Sequence, residues 1–145
     1  MAAPKEKSRL PFTALLTALV AAPLLAAPPI IRGLAAHAWV RHFADLPTLP
    51  RPRKATARLV GEKAAIAVQY LAPLPQSSSA AILALEIGQR VEQQDRDRES
   101  AVLIYRAVRA ACERVRDRPL SGAGFAVIAA RASALEDAAR TAASP

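Results

Sequence analysis

Apolar and polar positions follow a helical period along most of this chain, and near its start the polar positions disappear altogether. The period is clearest after residue 100. Ala101, Ile104, Tyr105, Val108, Ala111, Cys112 and Val115 recur at i, i+3, i+4, i+7, i+10, i+11 and i+14, with Arg106, Arg109, Glu113 and Arg116 on the opposite side. This spacing predicts an amphipathic helix. Arg109 and Glu113 stand at the i, i+4 distance of an ion pair. Upstream, residues 55–72 predict a helix with Leu59, Lys63, Ile66, Tyr70 and Leu71 near one face, ended by Pro73 and Pro75. Gln76–Ser79 reads as a polar turn whose serines can cap the next element. That element, 80–94, carries Leu83, Ile87 and Val91 inward. Gly88 in its middle costs roughly 1 kcal/mol against alanine, which points to another helix passing close by. Asp95–Glu99 reads as a solvated charged turn. A fourth helix, opened by Gly122-Ala123-Gly124, has Phe125, Ile128, Ala132, Leu135 and Ala139 inward and Glu136, Asp137 and Arg140 outward. Thr141–Pro145 is expected to fray. The fold class is all-α, with a small antiparallel bundle of about four helices over 55–145.

The N-terminal pattern is different. Residues 1–9 are a basic flank holding Lys5, Lys7 and Arg9, and 10–31 are 22 residues without a charge. A run of about 20 mostly apolar residues is long enough to cross a bilayer, so a single transmembrane helix, acting as an uncleaved signal anchor, is expected here. Pro11 suits its first turn, Pro23 would kink it, and Pro28-Pro29 would strain or end it unless Ile30 and Ile31 continue the span. A cleaved signal peptide is the alternative. Ala36-His37-Ala38 has the form of a cleavage site but lies beyond Arg32, and Ala26-Ala27 is followed by proline. An organelle-targeting peptide fits less well, because serine is sparse and the uncharged run is long.

Residues 32–46 predict an amphipathic helix beside the membrane. Trp39 and Phe43, one turn apart, suit the headgroup boundary, and Arg32 and Arg41 can reach water or lipid phosphates. The plainer alternative is an ordinary helix packed on the downstream domain. His37 and His42 are too far apart around a helix to share a metal, and neither has cysteine or carboxylate neighbours in a ligand pattern. Pro47, Pro50 and Pro52, interleaved with Arg51, Arg53 and Lys54, make 47–54 a semi-rigid basic linker.

Charge distribution narrows the partners. The net charge of +8 sits almost wholly in residues 1–60, which hold nine basic side chains against two acidic ones; residues 61–145 hold eleven against ten. A basic excess flanking an apolar run belongs to membrane topology and anionic lipid. A nucleic-acid-binding domain carries its own surplus, so no nucleic-acid partner is expected. Catalytic chemistry is not legible either. The chain has no phosphate loop ending in Lys-Ser or Lys-Thr, no Cys-x-x-Cys, no His-Glu-x-x-His, and no histidine after residue 42 to serve as a general base. Cys112 is the sole cysteine and reads as a small buried hydrophobe. No catalytic residues, cofactor, metal or small-molecule substrate are expected.

Residues 81–119 resemble a single tetratricopeptide-type helical hairpin. Ala84, Ile87, Gly88 and Val91 match its first helix, and Ala101, Tyr105 and Val108 its second. The resemblance implies a helix pair in close contact, and a lone repeat lacks the stacked neighbours that make a solenoid. The expected function is a membrane-anchored, non-enzymatic helical interaction module whose partners are the lipid bilayer and another protein or its own copy. Arg106, Arg109 and Arg116 would form a docking strip for an acidic surface. One alternative is a small accessory subunit of a larger membrane complex, packed through Ala14, Ala18, Ala21 and Ala22. Another is a secreted helical domain after cleavage. Heavy alanine and arginine usage suggests a GC-rich bacterial genome, hence a single-pass protein of a bacterial inner membrane. The n-region form favours the N-terminus inside.

Overall fold

The structure, a computed structural model, describes residues 28–72, 74–118 and 122–143. Among these are five helices and no strand: α1 Pro29–Asp45, α2 Arg53–Leu71, α3 Pro75–Gln94, α4 Arg98–Val115 and α5 Gly122–Ala143. Short connections make successive helices antiparallel. α1, α2, α4 and α5 pack side by side in that order, and α3 backs the array.

α4 lies at the centre, touching α2, α3 and α5. Each of its seven apolar positions read from the sequence is buried. Tyr105 is the largest fully buried side chain, and its ring lies over Gly88 of α3. A Cβ at residue 88 would stand 2.5 Å from Tyr105 Cε1, so only glycine admits the ring, as the sequence suggested. The Tyr105 hydroxyl donates to Glu92 Oε2 at 2.8 Å. Burial, then this hydrogen bond and the Glu92 charge, raise the phenol far above its ordinary pKa and keep it a donor. Cys112, two turns on, is buried and its thiol is pushed up to about 12 by burial and by Glu113. It is a hydrophobe in this fold rather than a nucleophile.

Small residues set the other contacts. α2 buries Ala57, Val60, Gly61, Ala64, Ala67, Val68 and Leu71, whereas the larger Leu59, Ile66 and Tyr70 sit at the margins. The sequence pattern favoured the large side chains and so placed the buried face off-centre. The reason is the tightness of the packing: a Cβ on Gly61 would meet the Ala107 Cβ of α4 at 2.7 Å.

Arginines from neighbouring helices close helix ends. The last carbonyls of a helix have no partner within it. Arg90 of α3 donates to the Phe43 and Ala44 carbonyls of α1 at 3.1 and 2.9 Å. Arg98 donates to Ala142 O in the last turn of α5 at 2.9 Å, so 141–143 stay helical rather than fray. Arg118 donates to Gln69 O of α2 at 3.1 Å. The Asp95–Glu99 turn is likewise engaged. Asp97 caps α4 by accepting from the Ser100 amide and hydroxyl, and Arg53 of α2 lies 3.6 Å from both Asp95 and Asp97. Burial works to raise the Asp97 pKa, yet the Ser100 hydrogen bonds and Arg53 outweigh it and hold the group below its ordinary value.

Three further expectations change. Gln76–Ser79 is the first turn of α3, because Pro75 at the helix start needs no amide partner. Its serines do not cap; Ser77 and Ser78 hydroxyls donate to the Leu74 and Pro75 carbonyls. Glu136, expected outside, is 2% exposed. The stretch read as a linker, 47–54, puts Leu49 into the core beside Val40 and Phe43 of α1.

Gly88→Ala is expected to lower the unfolding free energy in urea by about 1–3 kcal/mol through overpacking against Tyr105, despite alanine's better helix propensity. Gly124→Ala, where a Cβ meets nothing within 4 Å, is expected to be neutral or slightly stabilising. Equal behaviour of the two variants would contradict the contact.

Candidate functional site

Two surfaces stand out from the packing of the bundle: the outer face of α1 and a basic cleft between α2, α4 and α5.

α1 begins where a continuous membrane span was expected to end. Pro28 is extended, at φ −52° and ψ 147°, and Pro29 occupies the first turn. The uncharged run 10–31 is therefore not one unbroken helix, since its last residues, Pro28–Ile31, are the cap and opening turn of α1. Leu10–Ala27, the bulk of the expected transmembrane segment, lies outside the described residues, as does the 1–9 basic flank. Among the described residues no helix is long and apolar enough to cross a membrane.

The inner side of α1 presents Gly33, Ala36, Val40 and Phe43, all buried. Ala36 joins Ala67, Leu71 and Ala80 in a small cluster at one end of the bundle, and Val40 and Phe43 enter the main core. His37 Nε2 lies 3.4 Å from Ser79 Oγ of α3, a further tie. The helix expected beside a membrane is thus part of the bundle. Its outer side is nevertheless apolar over the first three turns, before exposed Arg41, His42 and Asp45: Ile30, Ile31, Leu34 and Trp39 are each about half exposed, and Ala35 and Ala38 are exposed between them. These residues form one stripe at spacings of one, three and four. An exposed apolar stripe of this kind marks a surface that meets a partner or a lipid boundary.

The four residues expected at a headgroup boundary divide accordingly. Trp39 is 47% exposed and borders a shallow depression of about 440 Å³ with Ala35, Ala38 and His42. Phe43 is 5% exposed and stacks beneath Trp39, centroids 5.8 Å apart, so it supports the indole and does not itself reach the surface. Arg32 turns along the bundle, its guanidinium 5.0 Å from the Tyr70 ring centroid. Arg41 is exposed.

The expected docking strip on α4 also divides. Arg106 Nε and Arg109 Nη2 reach the carboxylate of Glu136 on α5 at 3.2 and 3.3 Å, and Arg140 joins at 3.5 Å. Three guanidiniums thus share one buried carboxylate. Arg109 turns to Glu136 rather than to Glu113, because a desolvated carboxylate attracts it more strongly than an exposed one. Arg116 stands at the far end of α4, 3.9 Å from exposed Asp117. Arg106, Arg109 and Arg116 therefore form no single strip.

Arg106 and Arg140 instead border the cleft. Its walls carry Lys54 and Arg58 from α2, Arg98 and Arg106 from α4 and Arg140 from α5, with Glu99 at the rim. Val102, Leu103 and Ala139 form an apolar floor, and the volume is about 410 Å³. Nothing in the sequence pattern pointed to this cleft, because its residues come from three helices at separations of more than thirty positions. Among the described residues no group of three His, Cys, Asp or Glu side chains is placed to hold a metal.

No protein-family model matches the chain, and neither a curated protein nor a solved structure matches it. The close helix pair implied by the tetratricopeptide resemblance is present in α3 and α4, but the resemblance carries no family assignment.

Glu136→Gln is expected to lower unfolding free energy by about 1–3 kcal/mol, since it leaves three arginines facing a neutral amide. The guanidiniums are a third to a half exposed, 33–52%, which keeps the loss below that of a fully buried pair. Asp137→Asn on the same helix, exposed, is expected to change stability by under about 0.5 kcal/mol. Urea unfolding distinguishes the two, and equal effects would contradict a structural role for Glu136.

Proposed function

We propose that this chain is a non-enzymatic helical interaction module held at a membrane, with its N-terminal segment in the bilayer and the outer face of α1 against the lipid. One observation carries the reading. The exposed stripe Ile30, Ile31, Leu34, Ala35, Ala38 and Trp39 follows directly in sequence from the uncharged run that begins at Leu10. An apolar segment leading into an exposed apolar helix face suits a lipid surface, which accepts both without a matching protein shape.

Electrostatics supports the same occupant. Lys5, Lys7 and Arg9 precede the run and Arg32 and Arg41 follow it, so cations bracket the apolar stretch where anionic headgroups would lie. Trp39 suits the boundary, with an apolar ring and an N–H donor. Phe43 and Gly33 on the inner side tie that face to the bundle, so lipid contact positions the whole domain. The α2/α4/α5 side is left for a partner.

The secreted alternative is narrowed by packing. Cleavage after Ala38 would divide α1 and remove Gly33 and Ala36, both buried. Cleavage after Ala27 would leave α1 whole, and only that version competes with an anchor.

The test is the intact mass of the native protein after alkaline carbonate extraction of membranes. Full-length chain in the pellet is expected. A soluble species beginning at or near Pro28 would overturn the anchored reading.

A further inference from the structure

We propose that the cleft between α2, α4 and α5 binds a phosphorylated small molecule, its phosphate among Lys54, Arg58, Arg98, Arg106 and Arg140 and its apolar part on Val102, Leu103 and Ala139. The cleft's volume of about 410 Å³ falls in the range of small-ligand sites, roughly 300–1,000 Å³. Its charge is unbalanced. Five cations line it with a single carboxylate, Glu99 at the rim, and Glu136 beneath is already shared by Arg106, Arg109 and Arg140.

Three of these cations are also held in place before any ligand arrives. Arg106 and Arg140 are anchored on buried Glu136, and Arg98 on the Ala142 carbonyl. An arginine has five N–H donors, so Arg106 and Arg98 keep donors beyond those anchors. Arg58 makes no hydrogen bond or ion pair with any described residue. Lys54 pairs with Glu99, whose side chain is 73% exposed, and a pair that exposed holds its partners weakly. Glu99 can therefore yield Lys54 to a stronger anion.

The number and spread of the cations favour phosphate over carboxylate. A phosphate monoester brings up to two charges and three acceptor oxygens, enough for several separate donors, and arginine forks bind it bidentately. A lone carboxylate satisfies fewer. The apolar floor then takes whatever the phosphate is attached to.

Position selects the source. Lys54, Arg58 and Arg98 lie where α2 and α4 begin, and Ala139 and Arg140 where α5 ends. The antiparallel order puts the start of α1 at the opposite end, about 30 Å away for helices of this length. The cleft thus lies at the end of the bundle away from the point where the N-terminal run would leave a bilayer, and a soluble phosphorylated compound fits better than a headgroup. That choice of source rests on the membrane reading above; the phosphate site itself does not.

The experiment is calorimetric titration of the full chain in nonionic detergent with phenyl phosphate, benzoate and dihexanoyl phosphatidate. Arg58→Gln and Lys54→Gln alter only exposed positions outside the Glu136 cluster, and thermal unfolding checks that both remain folded. Arg41→Gln, on α1, is the remote control. Phenyl phosphate is expected to bind once per chain, weakened roughly tenfold by Arg58→Gln and by Lys54→Gln and unchanged by Arg41→Gln. Tighter binding of dihexanoyl phosphatidate with the same variant sensitivity would uphold the phosphate site and assign its source to lipid. Absence of phosphate binding, equal binding by all variants, or benzoate binding as tightly as phenyl phosphate would overturn the proposal.

Discussion

The ring of Tyr105 lies on Gly88, and the bundle is arranged around that contact. Glycine lets α3 come close enough for a large aromatic side chain to be fully buried between helices otherwise lined with alanine, valine and isoleucine. Glu92, one turn beyond Gly88, receives the phenol hydroxyl, so a single side chain fills the gap and satisfies its polar end. With α4 fixed against α3, its other faces are committed: Ala107 meets Gly61 of α2, and Arg106 and Arg109 reach Glu136 of α5. A core of small residues gives little hydrophobic area per side chain. Close approach compensates through dispersion contacts, which depend steeply on distance. Arginines then complete the exposed ends, with Arg90, Arg98 and Arg118 each donating to a neighbouring helix's terminal carbonyls.

What was legible in the sequence follows from this design. α4 was read correctly down to its buried positions because its two faces differ sharply, large apolar residues against arginines. α2 was placed within two residues at its start and one at its end, but its inner face was not, since Ala57, Gly61 and Ala64 carry almost no hydrophobic signal beside Leu59 and Ile66. Pro75 was taken as a terminator of α2 when it is the initiator of α3, an ambiguity that proline's fixed φ and missing N–H create at any helix boundary. Glu136 was assigned to water on charge alone. Its burial depends on three arginines, two of which lie about thirty residues away. The basic cleft is a product of tertiary packing and had no sequence signature.

The two surfaces lie at different places in the fold and suit different occupants. The outer face of α1 is apolar, flanked by cations and joined to the uncharged N-terminal run, which suits lipid. The α2/α4/α5 cleft is basic with an apolar floor, at the end away from the start of α1, and suits a soluble anion. With both occupants in place, the domain would be attached along one edge and open at another.

Trp39 is the sole tryptophan and stands in the middle of the apolar stripe, so its fluorescence reports directly on that face. The most direct measurement compares the full chain reconstituted in vesicles of an anionic phospholipid with and without brominated acyl chains. If the outer face of α1 meets lipid, the brominated vesicles will quench Trp39 strongly, and a water-soluble quencher such as acrylamide will have little effect. Emission unaffected by the brominated lipid and readily quenched from water would place α1 away from the bilayer and contradict the account.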